Sequence, residues 1–487
     1  MAKPLFVSCN HSKKYKTSLQ TGVCKDVLAN MAKIWNHSTG STKLTTSKLM
    51  TSKHKQTYFD YAQDKNTPRG EQSRTTLKRK VFVGMSGGVD SSVAAFLLKK
   101  EGYDVTGVYI HGFNVDGCSE RDAEDARRVA DHLGIPFYVI DAREDYFEYV
   151  VQYMIHGYKK GLTPNPDVMC NKEIKFGLFL EKALQLGADY IATGHYIRLW
   201  RNDEFPISNF EKKSEIKNSK TDLKFINRNC PPKAPARRSG RDQPRAEEFH
   251  LFEGKDGNKD QSYFLWTLTQ EQLKHCLFPV GEYTKPEIRE IAKKAKLPTA
   301  EKKDSQGICF LGKVKLPEFL KEYIKPKRGD VLDTEGNKIG EHEGAQFYTI
   351  GQRHLNIIQK SNLKSQKGIT NRKPYYVVEK DVKKNILIAA EGENHPALFK
   401  KEIELTDVHF INPSFEIQNL KFEISVFARV RYRQPLFKAT LIYDEKKWKV
   451  LFENPQKFVA PGQSAVFYST DTDESGNHEM LCGGVIV

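Results

Sequence analysis

Apolar positions along this chain fall into two rhythms. From Lys80 to Thr193, short continuous apolar runs alternate with longer amphipathic stretches. Val81-Phe82-Val83-Gly84-Met85, Val105 to Ile110, Phe137 to Ile140 and Tyr190 to Thr193 have strand length. Their lack of polar alternation is what a parallel sheet covered on both faces demands. Between them, Ser119 to Leu133 sets Ala123, Ala126, Val129 or Ala130, and Leu133 at helical spacing, and helices are expected around Asp145 to Tyr158 and Lys172 to Leu186. The β/α alternation predicts a doubly wound parallel sheet, which binds ligands outside the carboxyl ends of its strands.

The pattern dissolves between Arg201 and Glu248 into Lys, Asn, Ser, Pro and Arg, which reads as a mobile insertion. It resumes at Phe249, and a helix from Lys285 to Ala295, opened by Pro286, leads towards Cys309. From Tyr375 onward the rhythm shortens to segments 375–379, 386–390, 403–409, 422–432, 436–443, 447–452, 464–468 and 482–487. This predicts an all-β tail closed as a small barrel. The expected organisation is a disordered basic extension (1–79), an α/β domain (80–312), a small central domain (313–374) and a C-terminal β-barrel (375–487).

Composition refines this picture little. Hydrophobic residues at 39% and charged residues at 28% are ordinary, and no run approaches a membrane span, so no membrane partner is expected. The net charge of +16 suggests nucleic acid, but residues 1–80 carry +12 and residues 201–248 carry +4. The remainder is neutral, so an RNA surface there must come from clustering. Eight scattered cysteines lack zinc or disulfide-scaffold spacing, which suits a reducing compartment. A cytoplasmic location is expected, with the mitochondrial matrix as the alternative because the first 58 residues are Lys-, Ser- and Thr-rich with Asp26 their sole acid.

Ser86-Gly87-Gly88-Val89-Asp90-Ser91-Ser92 follows the first strand and opens a helix, so backbone N–H groups and the positive helix end converge where a phosphate would sit. An ordinary tight turn is the bland alternative. No Lys-Ser/Thr pair follows, so this is not a Walker loop. The loop resembles that of the PP-loop ATP pyrophosphatases, which cleave ATP between its α- and β-phosphates. The resemblance implies ATP with Mg²⁺, contacted by Gly84, Met85, Ser86, Gly87, Gly88, Val89, Asp90, Ser91, Ile110 and Gly194, and no protein metal site.

Further motifs narrow the family. Thr163-Pro164-Asn165-Pro166-Asp167-Val168-Met169-Cys170-Asn171-Lys172, Ala192-Thr193-Gly194-His195-Tyr196, Lys259-Asp260-Gln261-Ser262-Tyr263-Phe264 and Asp304-Ser305-Gln306-Gly307-Ile308-Cys309-Phe310 together resemble tRNA-specific 2-thiouridylases. Gly344 to Arg353 and Pro461 to Tyr468 extend the likeness into the later domains. Two stretches depart from the family pattern, Ile110-His111-Gly112-Phe113-Asn114 and His354-Leu355-Asn356-Ile357-Ile358.

From the residues themselves, Asn171 reads as an N-cap and Cys170 as a thiol at a helix start, where the dipole favours thiolate. Lys302 and Lys303 would do the same for Cys309. Thiol exchange requires the two sulfurs to be adjacent although 139 positions separate them. The resemblance implies that Cys309 carries a persulfide and that Cys170 helps deliver its sulfur and ends in a disulfide with it. It further implies that Asp167, Asn165 and Pro166 address the target base, and that Lys259, Asp260, Gln261, Arg431 and Tyr432 contact tRNA. Cys9, Cys24, Cys118, Cys230, Cys276 and Cys482 match no motif, and His195 reads as a structural donor. Arg429, Arg431 and Arg433 alternate, predicting a basic strand face.

The implied reaction activates the C2 oxygen of the wobble uridine with ATP, then attacks C2 with the Cys309 persulfide to give 2-thiouridine, AMP and pyrophosphate. A sulfur-donor protein, either a cysteine desulfurase or a relay carrier, is an implied partner. The rivals are another AMP-forming PP-loop ligase, which needs no cysteine pair, and a non-catalytic tRNA-binding protein.

Overall fold

A computed structural model describes Phe6–Val7 and residues 78–114, 119–201, 248–304, 309, 312, 315–353, 373–412 and 421–487. Strands β1 (Phe6–Val7), β2 (Lys80–Gly84), β3 (Asp104–His111), β4 (Phe137–Asp141), β5 (Tyr190–Ala192) and β8 (Cys276–Leu277) form one parallel sheet in the order β1-β4-β3-β2-β5-β8. The short β1 gives part of the N-terminal extension regular structure, where only disorder is expected from its composition. The rest of that extension lies outside the described residues.

Both faces of the sheet are covered, as the unbroken apolar runs require. Val81 and Val83 point to one side with helix α1 (Val89–Lys100) and helix α2 (Ser119–Leu133). Phe82 points to the other, where Ile110, Ile140, Tyr146, Met154, Ile174 and Phe179 bury together. That second layer consists of two long helices. Helix α3 runs through Arg143–Tyr146, Phe147–Val151 and Gln152–Lys159. Helix α4 runs through Pro166–Met169, Cys170–Leu178 and Phe179–Gln185. The middle part of each is wound as a wider π-helix, a form that concentrates at functional sites.

Hairpin β6 (Ile197–Arg201) and β7 (Phe249–Glu253) leaves this domain and bridges to the last one. Its terminal pair, Arg201 and Phe249, holds together the ends of the 202–247 insertion, which lies outside the described residues. Helix α5 (Gln270–Leu273) precedes β8, and helix α6 (Lys285–Lys294) follows it, with Thr284 and Glu287 forming a capping box and Pro286 in the first turn.

Helix α7 (Leu316–Tyr323) opens the central region, whose sheet has the order β10-β9-β12-β11 from β9 (Gly329–Leu332), β10 (Lys338–His342), β11 (Tyr375–Asp381) and β12 (Ile386–Glu391). Strands β11 and β12, expected to begin the barrel tail, thus belong to the central sheet. Alternation predicts a strand but not the sheet that it joins. The barrel is made by β13 (Phe399–Phe410), β14 (Lys421–Arg429), β15 (Phe437–Asp444), β16 (Lys447–Lys457), β17 (Ser464–Thr472) and β18 (His478–Ile486). Order β13-β16-β15-β14-β17-β18 closes through β13–β18 pairing around Leu441, Val450, Phe452, Ala465 and Phe467. Strand β18 also pairs with β7, so the barrel and the hairpin share one sheet.

Candidate active site

The glycine loop sits between β2 and α1. Gly87 takes φ +72°, where a Cβ would stand 2.3 Å from the Asp122 carbonyl oxygen, so glycine is required. Ser86 is exposed at the loop's crest, while the Met85 and Val89 side chains are buried in the core and leave only backbone to a nucleotide. The Ser91 hydroxyl accepts from the Ser86 N–H and braces the loop from inside. Asp90 in the first turn accepts from Lys285 Nζ at 2.6 Å and from the Tyr196 hydroxyl at 2.6 Å.

Gly194, just past β5, packs against the start of α1. A Cβ there would lie 2.7 Å from Ser91 N and 2.9 Å from Asp90 C. Since backbone cannot yield as a flexible side chain can, Gly194→Ala is expected to push the phosphate loop out of place and weaken ATP binding about tenfold, or about 1.4 kcal/mol. Calorimetric titration of the full chain checks this, and unchanged affinity would contradict the loop's placement.

Deeper along the strand ends, Cys170 on α4 and Cys309 meet, with Sγ–Sγ 3.5 Å and the Cys170 thiol donating. Two contacts hold the Cys309 backbone: the Asp167 carboxylate accepts from its N–H at 3.0 Å, and the Tyr146 hydroxyl donates to its carbonyl. The two thiols differ in character. The hydrogen bond from Cys170 and the Lys175 charge outweigh burial and bring Cys309 down to about 7. Burial and the neighbouring Cys309 push Cys170 well above the ordinary thiol range. Burial also raises the Asp167 carboxyl.

This reverses the expectation for Cys170. The helix begins at Asn165, whose side chain accepts from the Val168 N–H with Pro166 in its first turn, and not at Asn171. Cys170 is therefore inside the helix and fully buried, and desolvation wins over the dipole. The cation expected beside Cys309 also changes. Lys302 is engaged by Asp122 and Asp125 on α2, and the charge comes from Lys175 instead.

A cavity of about 250 Å³ is lined by Asn165, Pro166, Asp167, Tyr263, Phe264 and Tyr432, among others, and Asp167 joins it to the cysteine pair through the Cys309 N–H. The structure thus brings Asn165, Pro166, Asp167 and Tyr432 into one pocket, although Tyr432 is 265 positions beyond Asp167 in the sequence. The Tyr432 and Phe264 rings meet at a 48° tilt with 4.4 Å between centroids. The barrel shapes the pocket from behind, since Gln463 Nε2 donates to the Thr163 and Pro164 carbonyls and the Thr163 N–H donates to Pro461 O. Docking of this turn on the start of α4 is the structural reason for the Pro461-Gly462-Gln463 motif.

The other expected residues have identifiable partners within the protein. Asp260 is 2% exposed, accepts from Gly254 N, Ser262 N and the Ser262 hydroxyl, and pairs with Arg429, so its carboxylate is engaged within the protein. Lys259 pairs with Asp304 at 2.6 Å, and Gln261 accepts from Tyr196 N. The basic ridge does not exist. β14 ends at Arg429, which is buried against Glu253 and Asp260. Beyond it the chain turns, with Arg433 at φ +62°, so 429, 431 and 433 share no strand face. Arg431 instead lies over the Phe458 ring and donates to Ile350 O. His195 is buried and pushed well below the ordinary histidine range, first by burial and then by Lys175. Its ring pairs with the Thr193 hydroxyl, which suits a structural role. Sequence reasoning missed Tyr146, Lys175 and Lys285, none of which sits inside a motif loop.

Fold and site together define a class: a parallel-sheet protein with a glycine phosphate loop and two touching thiols that Asp167 links to an aromatic-walled cavity. Comparison with known families agrees segment by segment. Residues 79–225 and 236–313 match the family model described as tRNA methyl transferase HUP domain, 317–391 the tRNA methyl transferase PRC-barrel domain, and 400–486 the aminomethyltransferase beta-barrel domain. The chain is 40% identical over 415 residues to tRNA-specific 2-thiouridylase MnmA of Streptococcus thermophilus, covering 84% of this chain and 95% of that one. It is 38% identical over 453 residues to the Christiangramia forsetii protein of that name, covering 84% and 100%, and 42% identical over 401 residues to one from Geobacillus kaustophilus, covering 81% and 93%. This chain belongs to the family of tRNA-specific 2-thiouridylases.

Proposed function

We propose that the chain converts the wobble uridine of tRNA to 2-thiouridine, consuming ATP and a persulfide sulfur. The observation that carries this reading is the 3.5 Å contact of Cys170 and Cys309, joined through Asp167 to the Asn165–Asp167 cavity. The methyl transferase wording of two family models has no counterpart in the site, whereas touching thiols are what sulfur transfer needs.

The loop's residues fit ATP. Gly87 and Gly88 let the backbone approach, the start of α1 offers positive dipole, and Lys285 adds a cation. Asp90 is the carboxylate that would face Mg²⁺. Bound ATP supplies a leaving group by adenylating the uridine oxygen, which is otherwise too poor a one for substitution.

The remaining work falls to the chain. A base in the anticodon stack is unreachable, so the uridine turns out into the cavity and stacks on Phe264 and Tyr432, held near Asp167. A donor protein leaves one sulfur on Cys309 as a persulfide. The anionic terminal sulfur bonds to C2 as AMP departs. The Cys170 thiolate then attacks the Cys309 Sγ, breaking the bond to the transferred sulfur and releasing 2-thiouridine. The product disulfide returns to two thiols by taking two electrons and two protons from a dithiol reductant. Full-length protein with ATP-Mg²⁺, a persulfide donor and unmodified tRNA should yield 2-thiouridine by mass spectrometry. Pyrophosphate release without any thiolated product would refute the assignment.

A further inference from the structure

We infer that Lys175, carried to the sulfur pair by the π-winding of Cys170–Leu178, is a catalytic cation that holds negative charge on sulfur during transfer. The inference rests on the sulfur-transfer reading above. It names a residue and a device that lie outside the motifs matched to chemistry.

Winding supplies the geometric argument. In an α-helix each residue turns about 100°, so the fifth residue after Cys170 would point about 140° away from it. The α4 segment closes i to i+5 instead, shown by the Phe179 N–H reaching Ile174 O. That wider turn brings position 175 round towards the helix face that Cys170 occupies. There its charge acts on the Cys309 and Cys170 sulfurs and on Asp167. Gly177 suits this winding, since a Cβ there would stand 2.9 Å from the Lys172 carbonyl oxygen five residues back.

The charged and titratable neighbours of the Cys309 sulfur are Cys170, Lys175 and Asp167 from α4, with Tyr146 reaching in from α3. His195 faces Lys175 from the β5 end and stays neutral. Lys175 is thus the cation among these groups. Burial disfavours its charge, yet the two sulfurs and Asp167 together raise it above the usual lysine range. An anion shared across the pair is what such a site stabilises.

This arrangement also orders the chemistry. Cys309 gives its proton to solvent first, because it accepts from the Cys170 thiol and feels the Lys175 charge. Cys170 keeps its proton while Cys309 is an anion. Once Cys309 is bonded to the transferred sulfur and uncharged, the repulsion is gone and Lys175 favours the Cys170 thiolate that must attack. A single cation serves both steps in turn.

The test is iodoacetamide alkylation of Cys309 in the full chain as a function of pH, followed peptide by peptide. Wild type should show a midpoint near 7. Lys175→Met should move it up by at least one unit, slowing alkylation about tenfold at neutral pH, and Lys175→Arg should restore most of the loss. Lys175→Gln carries the same test should the Met variant melt early, and ATP binding in each variant reports an intact phosphate loop. An unmoved midpoint in a folded Met or Gln variant overturns the inference. The readout needs no tRNA, so failure of the thiolation reading alone would leave the shift in place.

Discussion

Cys309→Ser is expected to reduce 2-thiouridine formation by roughly 10³-fold or more, because a hydroxyl can neither carry the transferred sulfur nor ionise near neutrality. Cys170→Ser should fall nearly as far, by blocking release of the sulfur. The two residues act as one unit, so the double variant should be hardly worse than either alone. ATP binding and uridine activation should survive, since the loop at Ser86–Ser91 shares no hydrogen bond with either cysteine among those seen here. Cys276 and Cys482 supply the control. Both are buried, burial raises both thiols, and serine there should cost stability with thiolation retained. Quantifying the modified nucleoside in single turnovers checks all five variants.

Arg429→Met is expected to be the most destabilising single change in the barrel, by about 3–5 kcal/mol. The guanidinium leaves β14 to pair with Glu253 at the end of the hairpin and with Asp260, and its side chain is 6% exposed. Removing it strands two buried carboxylates. Asp260 already titrates near 6, since burial opposes its ionisation more than Arg429 favours it. A group raised in the fold costs stability above that value and not below the unfolded carboxyl range. The variant's deficit should therefore be largest above pH 6 and shrink on acidification towards pH 4. Urea denaturation at several pH values measures it, and a loss below 1 kcal/mol at pH 7.5 would mean that the network contributes little. Salt should change the result only slightly, because the pair is shielded from solvent.

The same residue shows where sequence reading stops. Val81 to Met85 and the other apolar runs announced a parallel sheet because burial on both faces leaves no other pattern, and the loop after β2 was legible from its glycines. Arg429, Arg431 and Arg433 were misread because alternation persists through a turn that ends the strand. Asp260 looked like a surface charge since nothing local reveals a partner 169 positions away. Lys175 was invisible for a different reason. A helical reading at 3.6 residues per turn places it away from Cys170, and only the π-winding corrects that. The Cys170 expectation was reversed because a dipole argument follows from position in a helix, whereas desolvation follows from tertiary burial.

One measurement reaches the centre of the account. Enzyme loaded with a single persulfide on Cys309 is mixed with ATP-Mg²⁺ and tRNA without reductant, and both products are counted by mass spectrometry. Each 2-thiouridine formed should be matched by one Cys170–Cys309 disulfide. Thiolated tRNA appearing while both cysteines remain unlinked would contradict transfer between the two sulfurs.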